Sequence, residues 1–324
     1  MNNQNLSVAI FVYNRADNTR KTIEHLLANT LARETDVFVF SDGGKDEKSW
    51  KAVGEVRSML HTMKNDIDSN GSLRSFTIIE RPENFYLERN IIEGINYVLE
   101  RSETVIVLED DICTSPYFLG YMREALMMYR DEEKVMHISG FTNLDLIGEH
   151  PELLSAGNET YFTPHMAGWG WATWRNRWQK HFRHYASRSE ALDGLTEEDI
   201  DTLQYGGAFP CLKSLDKNPI PWDACWEIAI HRAGGLCLTP AHTLVQNIGL
   251  RNGTHFRSFK IFQDYNFDRP PLMRRLLIGK SKPQADSHIE ALFAEAITDW
   301  GIRYTWLGKI IRKVVKTIKG QKQR

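Results

Sequence analysis

The sequence predicts an α/β protein whose mixed, mainly parallel sheet is flanked by helices and followed by a helical C-terminal tail. Three observations carry that expectation. Short, wholly apolar runs recur through the first 110 residues, as in LSVAIFV and TVIVLE. Runs apolar throughout suit parallel strands covered on both faces by helices. Between them lie segments whose apolar residues repeat at helical spacing. Each run also stops on polar or charged residues, and ligands of open α/β sheets bind beyond the carboxyl ends of the strands.

The elements follow in order. LSVAIFV (6–12) is the first strand, closed by the polar turn Tyr13-Asn14-Arg15. Asp17 is placed to cap a helix whose Ile23, Leu26 and Leu27 share a face. DVFVFS (36–41) is the second strand, broken by Asp42-Gly43-Gly44. A helix through Trp50, Val53, Val56 and Leu60 comes next, then the strand LRSFTIIE (73–80) and a helix marked by Ile91, Ile92, Ile95 and Val98. TVIVLE (104–109) is the fourth strand. Beyond residue 140 the regularity fades into an aromatic block, GWGWATWRNRW (168–178), and a polar helical stretch. PWDACWEIAIHRAGG (221–235) reads as a helix ending at glycine, with strands at LCLTP (236–240) and HTLVQNIG (242–249) before RNGTH (251–255). Pro270 and Pro271 begin a tail expected outside the compact core.

The 324 residues suffice for one large domain or two modest ones, and a formal net charge of −2 gives no global electrostatic case for nucleic-acid binding. Cys113, Cys211, Cys225 and Cys237 lack CxxC spacing, which argues against a structural zinc site or a disulfide framework. The N-terminus has no basic segment before a short apolar run, so a cytoplasmic protein is the expectation. Charge is nevertheless uneven. After Asp299 no acid occurs, and WLGKIIRKVVKTIKG (306–320) puts Leu307, Ile310, Ile311, Val314, Val315 and Ile318 on one helical face, with bases on the other. Such a helix either lies at the inner, anionic face of a membrane as a peripheral anchor or packs back on the core.

The fourth strand ends on Glu109, Asp110 and Asp111. Adjacent carboxylates at a buried strand end repel one another and need compensation. They read as solvated surface acids, as a receiver-type phosphoacceptor, or as hard oxygen ligands for Mg2+ or Mn2+ with water and phosphates completing the shell. Asp223, between Trp222 and Trp226, reads as a general base or as a helix-start residue beside Pro221. Trp171, Trp174 and Trp178 fall at i, i+3, i+7, the spacing of a core-facing helix. Trp169, flanked by Gly168 and Gly170, is off that register and could line a sugar pocket, and Trp222 has the stronger claim to a donor contact through its neighbour Asp223. Asn84 and Arg89 lie in the loop after the third strand, on the same edge as Tyr13, Arg15 and Asp42. That position suits nucleotide contacts.

Strand–Tyr-Asn-Arg, strand–Ser-Asp-Gly-Gly and strand–Glu-Asp-Asp in this order resemble GT-A-fold, Rossmann-like glycosyltransferases that use nucleotide-sugar donors. The chain is most similar to the inverting N-acetylglucosaminyltransferase I group, through Glu109-Asp110-Asp111, Trp222-Asp223-Ala224-Cys225-Trp226, Cys237, Pro240 and the Gly-Thr-His ending at His255. The resemblance spans roughly residues 6 to 256. It implies a metal-dependent hexosyltransferase of the kind that builds bacterial surface polysaccharides, with a UDP-sugar as the favoured donor. The implied acceptor is a saccharide; the basic tail would suit one carried on a lipid. Asp111 would bind the metal, with Asp110 or Glu109 contacting ribose, donor sugar or metal-bound water. Arg15 would lie near the diphosphate and Asp42 would accept a hydrogen bond from the base. Asp223 would act as general base, and His255 would complete the metal shell or contact the diphosphate if it is not simply structural. Ala224 and Cys225 depart from the family, which has another acid and a Trp there; the departure bears on sugar specificity. The implied organisation is a GT-A domain over 1–265, with a nucleotide-binding half (1–112) and an acceptor half (113–265), then a tail over 266–324. Two other classes compete: a metal-dependent nucleotidyltransferase acting on sugar phosphates, and a non-catalytic nucleotide-sugar-binding protein. The first would want a glycine-rich phosphate loop, and YNRADNTR offers no glycine.

Overall fold

The computed structural model describes residues 5–142, 154, 157–206, 211–249, 270–292 and 294. Strands β1 (Leu6–Val12), β2 (Thr35–Ser41), β3 (Ser75–Glu80) and β4 (Thr104–Glu109) alternate with helices α1 (Ala16–Leu27), α2 (Glu47–Asn70) and α3 (Tyr86–Leu99). They pair in parallel in the order β3-β2-β1-β4. The sheet then continues through β8 (Trp171–Trp174), β6 (Val135–Ser139), β9 (Leu236–Pro240) and β7 (Thr160–Thr163). Strand β8 runs antiparallel to both β4 and β6, and β7 antiparallel to β9. A separate two-stranded ribbon pairs β5 (Ile112–Thr114) with β10 (Val245–Asn247). This is the expected mixed, mainly parallel sheet.

Alternation along β1 explains why its run is apolar throughout. Val8, Ile10 and Val12 face one core with Ile23 and Leu26 of α1 and Val56 and Leu60 of α2. Ala9 and Phe11 face the other with Ile91, Ile95 and Val98 of α3. Both sides of the strand are buried, as a strand between two helical layers must be. The second core continues into Trp178 of α5 (Arg175–His181) and Trp222 and Trp226 of α8 (Trp222–Arg232). Helix α4 (Phe118–Met128) completes the first layer, and two short helices, α6 (Arg188–Leu192) and α7 (Glu197–Leu203), lie before α8.

Three expectations are corrected. Arg15, not Asp17, stands at the start of α1: its carbonyl accepts from the Thr19 N–H and the Thr19 hydroxyl, both at 2.9 Å. Asp17 instead sits in the first turn, where a negative charge is favoured by the helix dipole. Trp171 and Trp174 belong to a strand and only Trp178 to a helix, although all three are buried as a core role requires. The helical spacing misleads because Trp171 and Trp174 close the two ends of a strand pair with β4. Finally, residues 270–292 pack onto the body. The Leu272 N–H donates to the Thr243 carbonyl at 2.8 Å, and Leu276 and Ile289 are buried.

Candidate functional site

The carboxyl ends of β1, β2 and β4 lie side by side, with Phe11 opposite Glu109 and Val12 opposite Ser41. The turn after β1 therefore delivers Arg15 to the acids after β4. The Arg15 guanidinium forms a two-point ion pair with Asp110, one hydrogen bond being Nε to Oδ2 at 3.3 Å, and reaches Asp111 Oδ2 at 2.9 Å. The Tyr13 backbone amide also favours the charged form of Asp110. Thr22 ties α1 to the same strand end by donating to the Asp110 carbonyl at 3.0 Å. Burial alone would weaken the charged guanidinium. Asp110 and Asp111 outweigh that and hold it protonated above its usual range.

One guanidinium does not balance three carboxylates. Burial pushes the Asp110 carboxyl up to about 6 against the opposing pull of Arg15. Burial, then Asp111, Asp110 and Asp223, pushes Glu109 up to about 8. Glu109 is half-buried, and the excess of like charge falls on it. Among the described residues no group of three or more His, Cys, Asp or Glu side chains is arranged to hold a metal ion. An open set of hard oxygens with surplus negative charge suits Mg2+ or Mn2+, which retain water and phosphate ligands. The donor chemistry fits a divalent cation held by Asp111, with Glu109 beside it. Arg15 engages Asp110 at two points and Asp111 at one, so both carboxylates share that guanidinium.

A late segment completes the acidic pocket. β10 pairs with β5, the Ile248 N–H donates to the Asp111 carbonyl at 2.9 Å, and Gly249 follows with its N–H on Asn247 Oδ1 at 2.8 Å. A Cβ on Gly249 would overlap Asp111 Oδ2 and lie 2.9 Å from Arg15 Nη1. A side chain at 249 would have to displace the Asp111 carboxylate and the Arg15 guanidinium from the positions they hold. Sequence reading missed Gly249 and Thr22; a glycine closing the 242–249 strand was the one visible signal for the former, and Thr22 gave none. His255, expected near the same place, lies outside the described residues.

Asp42 is buried at the end of β2, where its Oδ1 accepts from the Gly43 and Phe85 N–H groups at 2.9 and 2.7 Å. Burial raises its carboxyl above the usual range against those bonds. Asn84 Nδ2 donates to the Gly43 carbonyl at 2.5 Å, so Asp42 and Asn84 clasp the loops after β2 and β3 together. Arg89 is exposed, stacked 3.6 Å from the Phe85 ring centroid and paired with Glu83 and Glu93. Tyr13 keeps its hydroxyl buried without a hydrogen-bond partner among the described residues.

Asp223 occupies the first turn of α8, where Pro221 is the cap residue. Its Oδ1 accepts from the Ala224 N–H at 2.8 Å. It retains solvent access, yet surrounding protein raises its carboxyl above the usual range and its charge is felt by Glu109. The helix-start carboxylate is therefore within electrostatic reach of the acid triplet. Trp222 turns away, buried and stacked on Trp171 with centroids 5.3 Å apart. Trp169 is half-buried and edge-on to Phe141 at 4.5 Å. One turn beyond Asp223, Glu227 accepts from the Met166 N–H and bonds to His165 Nδ1, both at 2.8 Å, tying the loop before β8 to α8.

In the metal-free protein, these raised carboxyls make stability pH-dependent. A folded-state pKa above the unfolded value means that the native state holds more protons, so stability falls as pH rises through the window. For Glu109 the window runs from about 4.5 to about 8. The thermal midpoint should fall across it, and Glu109→Gln should gain progressively on the wild type as pH rises. A parallel pair of melting curves over that range would refute the assignment.

A model of the GNT-I family matches residues 1–184. No curated protein matches the sequence. Among solved structures, the chain is similar to the mannosyltransferase PcManGT from Pyrobaculum calidifontis, in complex with GDP-Man and Mn2+: 14% identity, TM-score 0.48, 92% of this chain and 71% of that one covered. It is also similar to S. aureus TarS 1-349, at 8% identity and TM-score 0.42 over 93% of this chain and 73% of that chain. For the TarS complex with UDP-GlcNAc the values are 14% and 0.30, covering 42% of this chain and 33% of that one.

Proposed function

The chain belongs to the GNT-I family and is therefore a nucleotide-sugar-dependent glycosyltransferase; on that premise we propose that it transfers a hexose with inversion from a UDP-sugar to a saccharide hydroxyl. The observation that supports the reading is that Asp223 lies near enough to the acid triplet for its charge to raise Glu109. Inversion needs one base on the face of the sugar away from the leaving group. A solvent-accessible carboxylate whose proton affinity is raised above the usual range is suited to that work.

The residues divide as follows. Asp223 takes the proton of the acceptor hydroxyl as that oxygen attacks the anomeric carbon, and the carbon–phosphate bond breaks on the opposite side. Arg15, charged and steered by Asp110, faces the negative charge that accumulates on the departing diphosphate. Asp111, with Glu109 beside it, would hold Mn2+ or Mg2+; such an ion, when bound, supplies Lewis-acid stabilisation to the leaving nucleotide. The Asp42–Asn84 clasp sets the loop that would meet the base and ribose, with Tyr13 at the neighbouring turn. A saccharide carried on a lipid is the acceptor that the basic segment 306–320 favours, and that segment lies outside the described residues. No helix among the described residues is long and apolar enough to cross a membrane.

The test is a thermal-shift screen of UDP-, GDP-, CMP- and dTDP-sugars with and without Mn2+. One UDP-sugar should raise the midpoint only when the cation is present, and Asp111→Asn should remove that joint shift. A shift of equal size without metal, or one retained by Asp111→Asn, would overturn the metal assignment. No response to any nucleotide would overturn the donor assignment.

A further inference from the structure

The segment after Pro270 carries a surface that the donor cleft does not explain. From Leu272 to Leu277 it crosses the body without regular secondary structure, its Leu272 N–H held by Thr243 and its Leu277 N–H by Glu159. Leu276 is buried and Arg274 turns to Glu159, whereas Met273, Arg275 and Leu277 point outward. Met273 is 65% and Leu277 52% exposed. On α4, Met127 is 47% exposed and lines, with Arg275 and Leu276, a cavity of about 450 Å³ between α4 and this strap. Three of the six exposed large apolar side chains among the described residues thus lie on the strap or on the helix next to it. Single exposed apolar residues need no explanation, but a cluster of unbranched or Leu side chains on one strap does.

Charge gives the cluster a direction. Lys280 and Lys282 continue the outward side of the strap, and no acid occurs between Pro270 and Ala285. Arg274 and Arg275 are engaged by Glu159 and Glu124, so the lysines carry the net charge of the patch. The sequence from Pro270 to the end holds twelve Lys and Arg against four Asp and Glu, although the whole chain is formally −2. An apolar ridge flanked by lysines matches one kind of partner: apolar tips enter the acyl boundary while ammonium groups meet anionic headgroups. An anionic polymer in water would use the lysines and leave Met127, Met273 and Leu277 without a role.

We propose that the strap over residues 272–282, with Met127, is a docking surface for an anionic membrane. It is distinct from the 306–320 segment and independent of which donor or base the enzyme uses. The full-length chain should co-sediment with vesicles of phosphatidylcholine containing phosphatidylglycerol, lose that binding at high salt, and ignore vesicles of phosphatidylcholine alone. Met273→Ser/Leu277→Ser and Lys280→Glu/Lys282→Glu should each weaken binding by roughly tenfold or more. Neither pair should change the melting midpoint, because all four side chains are exposed. Wild-type retention by either double variant would overturn the proposal and leave adhesion to the segment beyond it. So would absence of binding to every vesicle. Capture on dextran sulfate that matches the vesicle affinity and is indifferent to Met273→Ser/Leu277→Ser would overturn it in favour of a polyanion site.

Discussion

Asp223→Asn is expected to stop sugar transfer while leaving donor binding intact. The amide oxygen can still accept from the Ala224 N–H, so the first turn of α8 keeps its hydrogen bond. What the amide cannot do is take a proton. Loss of a positioned base costs on the order of 10²- to 10⁴-fold, so kcat should fall by about that factor with the donor Kd unchanged. The variant should also melt close to the wild type, since Asp223 is exposed and its hydrogen bond from Ala224 is kept. Near-normal turnover, measured as nucleotide release in the presence of acceptor, would reduce Asp223 to a helix-start residue.

Gly249→Ala should instead damage donor binding, which Asp223→Asn spares. Its methyl would overlap Asp111 Oδ2 and crowd the Arg15 guanidinium. One of two things must move: the carboxylate, or the strand that carries residue 249. Overpacking of this kind costs roughly 1–3 kcal/mol, which should appear as a lowered midpoint together with loss of the cation-dependent donor shift. A double-mutant cycle separates the two effects. Adding Asp111→Ala should recover much of the midpoint without restoring donor binding, because the clash is gone and so is the ligand. If the double variant melts as low as Gly249→Ala alone, the overlap with Asp111 is not the cause.

The fold was legible where both faces of a strand are buried. β1, β2 and β4 are short and apolar on each side, and that pattern survives without any knowledge of neighbours. Reading failed where one periodicity imitates another. Trp171, Trp174 and Trp178 satisfy helical spacing, yet the chain bends from strand to helix between the second and third. It failed again at the strap, because Leu272 and Leu276 are too few to mark a core-facing run. In the site, the groups that carry charge were visible as residue types at strand ends. Their division of labour was not. Asp110 is committed to Arg15, Asp42 to backbone N–H groups, and Trp222 to a ring stack, and each fact depends on pairings far apart in sequence. Arg89 shows the limit of positional inference: it sits on the expected loop but its guanidinium rests on Phe85 and two surface glutamates.

The ribbon of β5 and β10 has a consequence for the order in which the enzyme comes into being. Arg15 and Asp110 can meet once the first four strands have emerged from the ribosome, but the wall behind Asp111 arrives more than a hundred residues later. A nascent chain halted at residue 184, where the family match ends, would own Arg15 and the acid triplet with neither Asp223 nor Gly249. On the roles proposed above, competence to bind donor and competence to use it would be delivered by the same late stretch of polypeptide, and a half-made chain would have no means of squandering activated sugar.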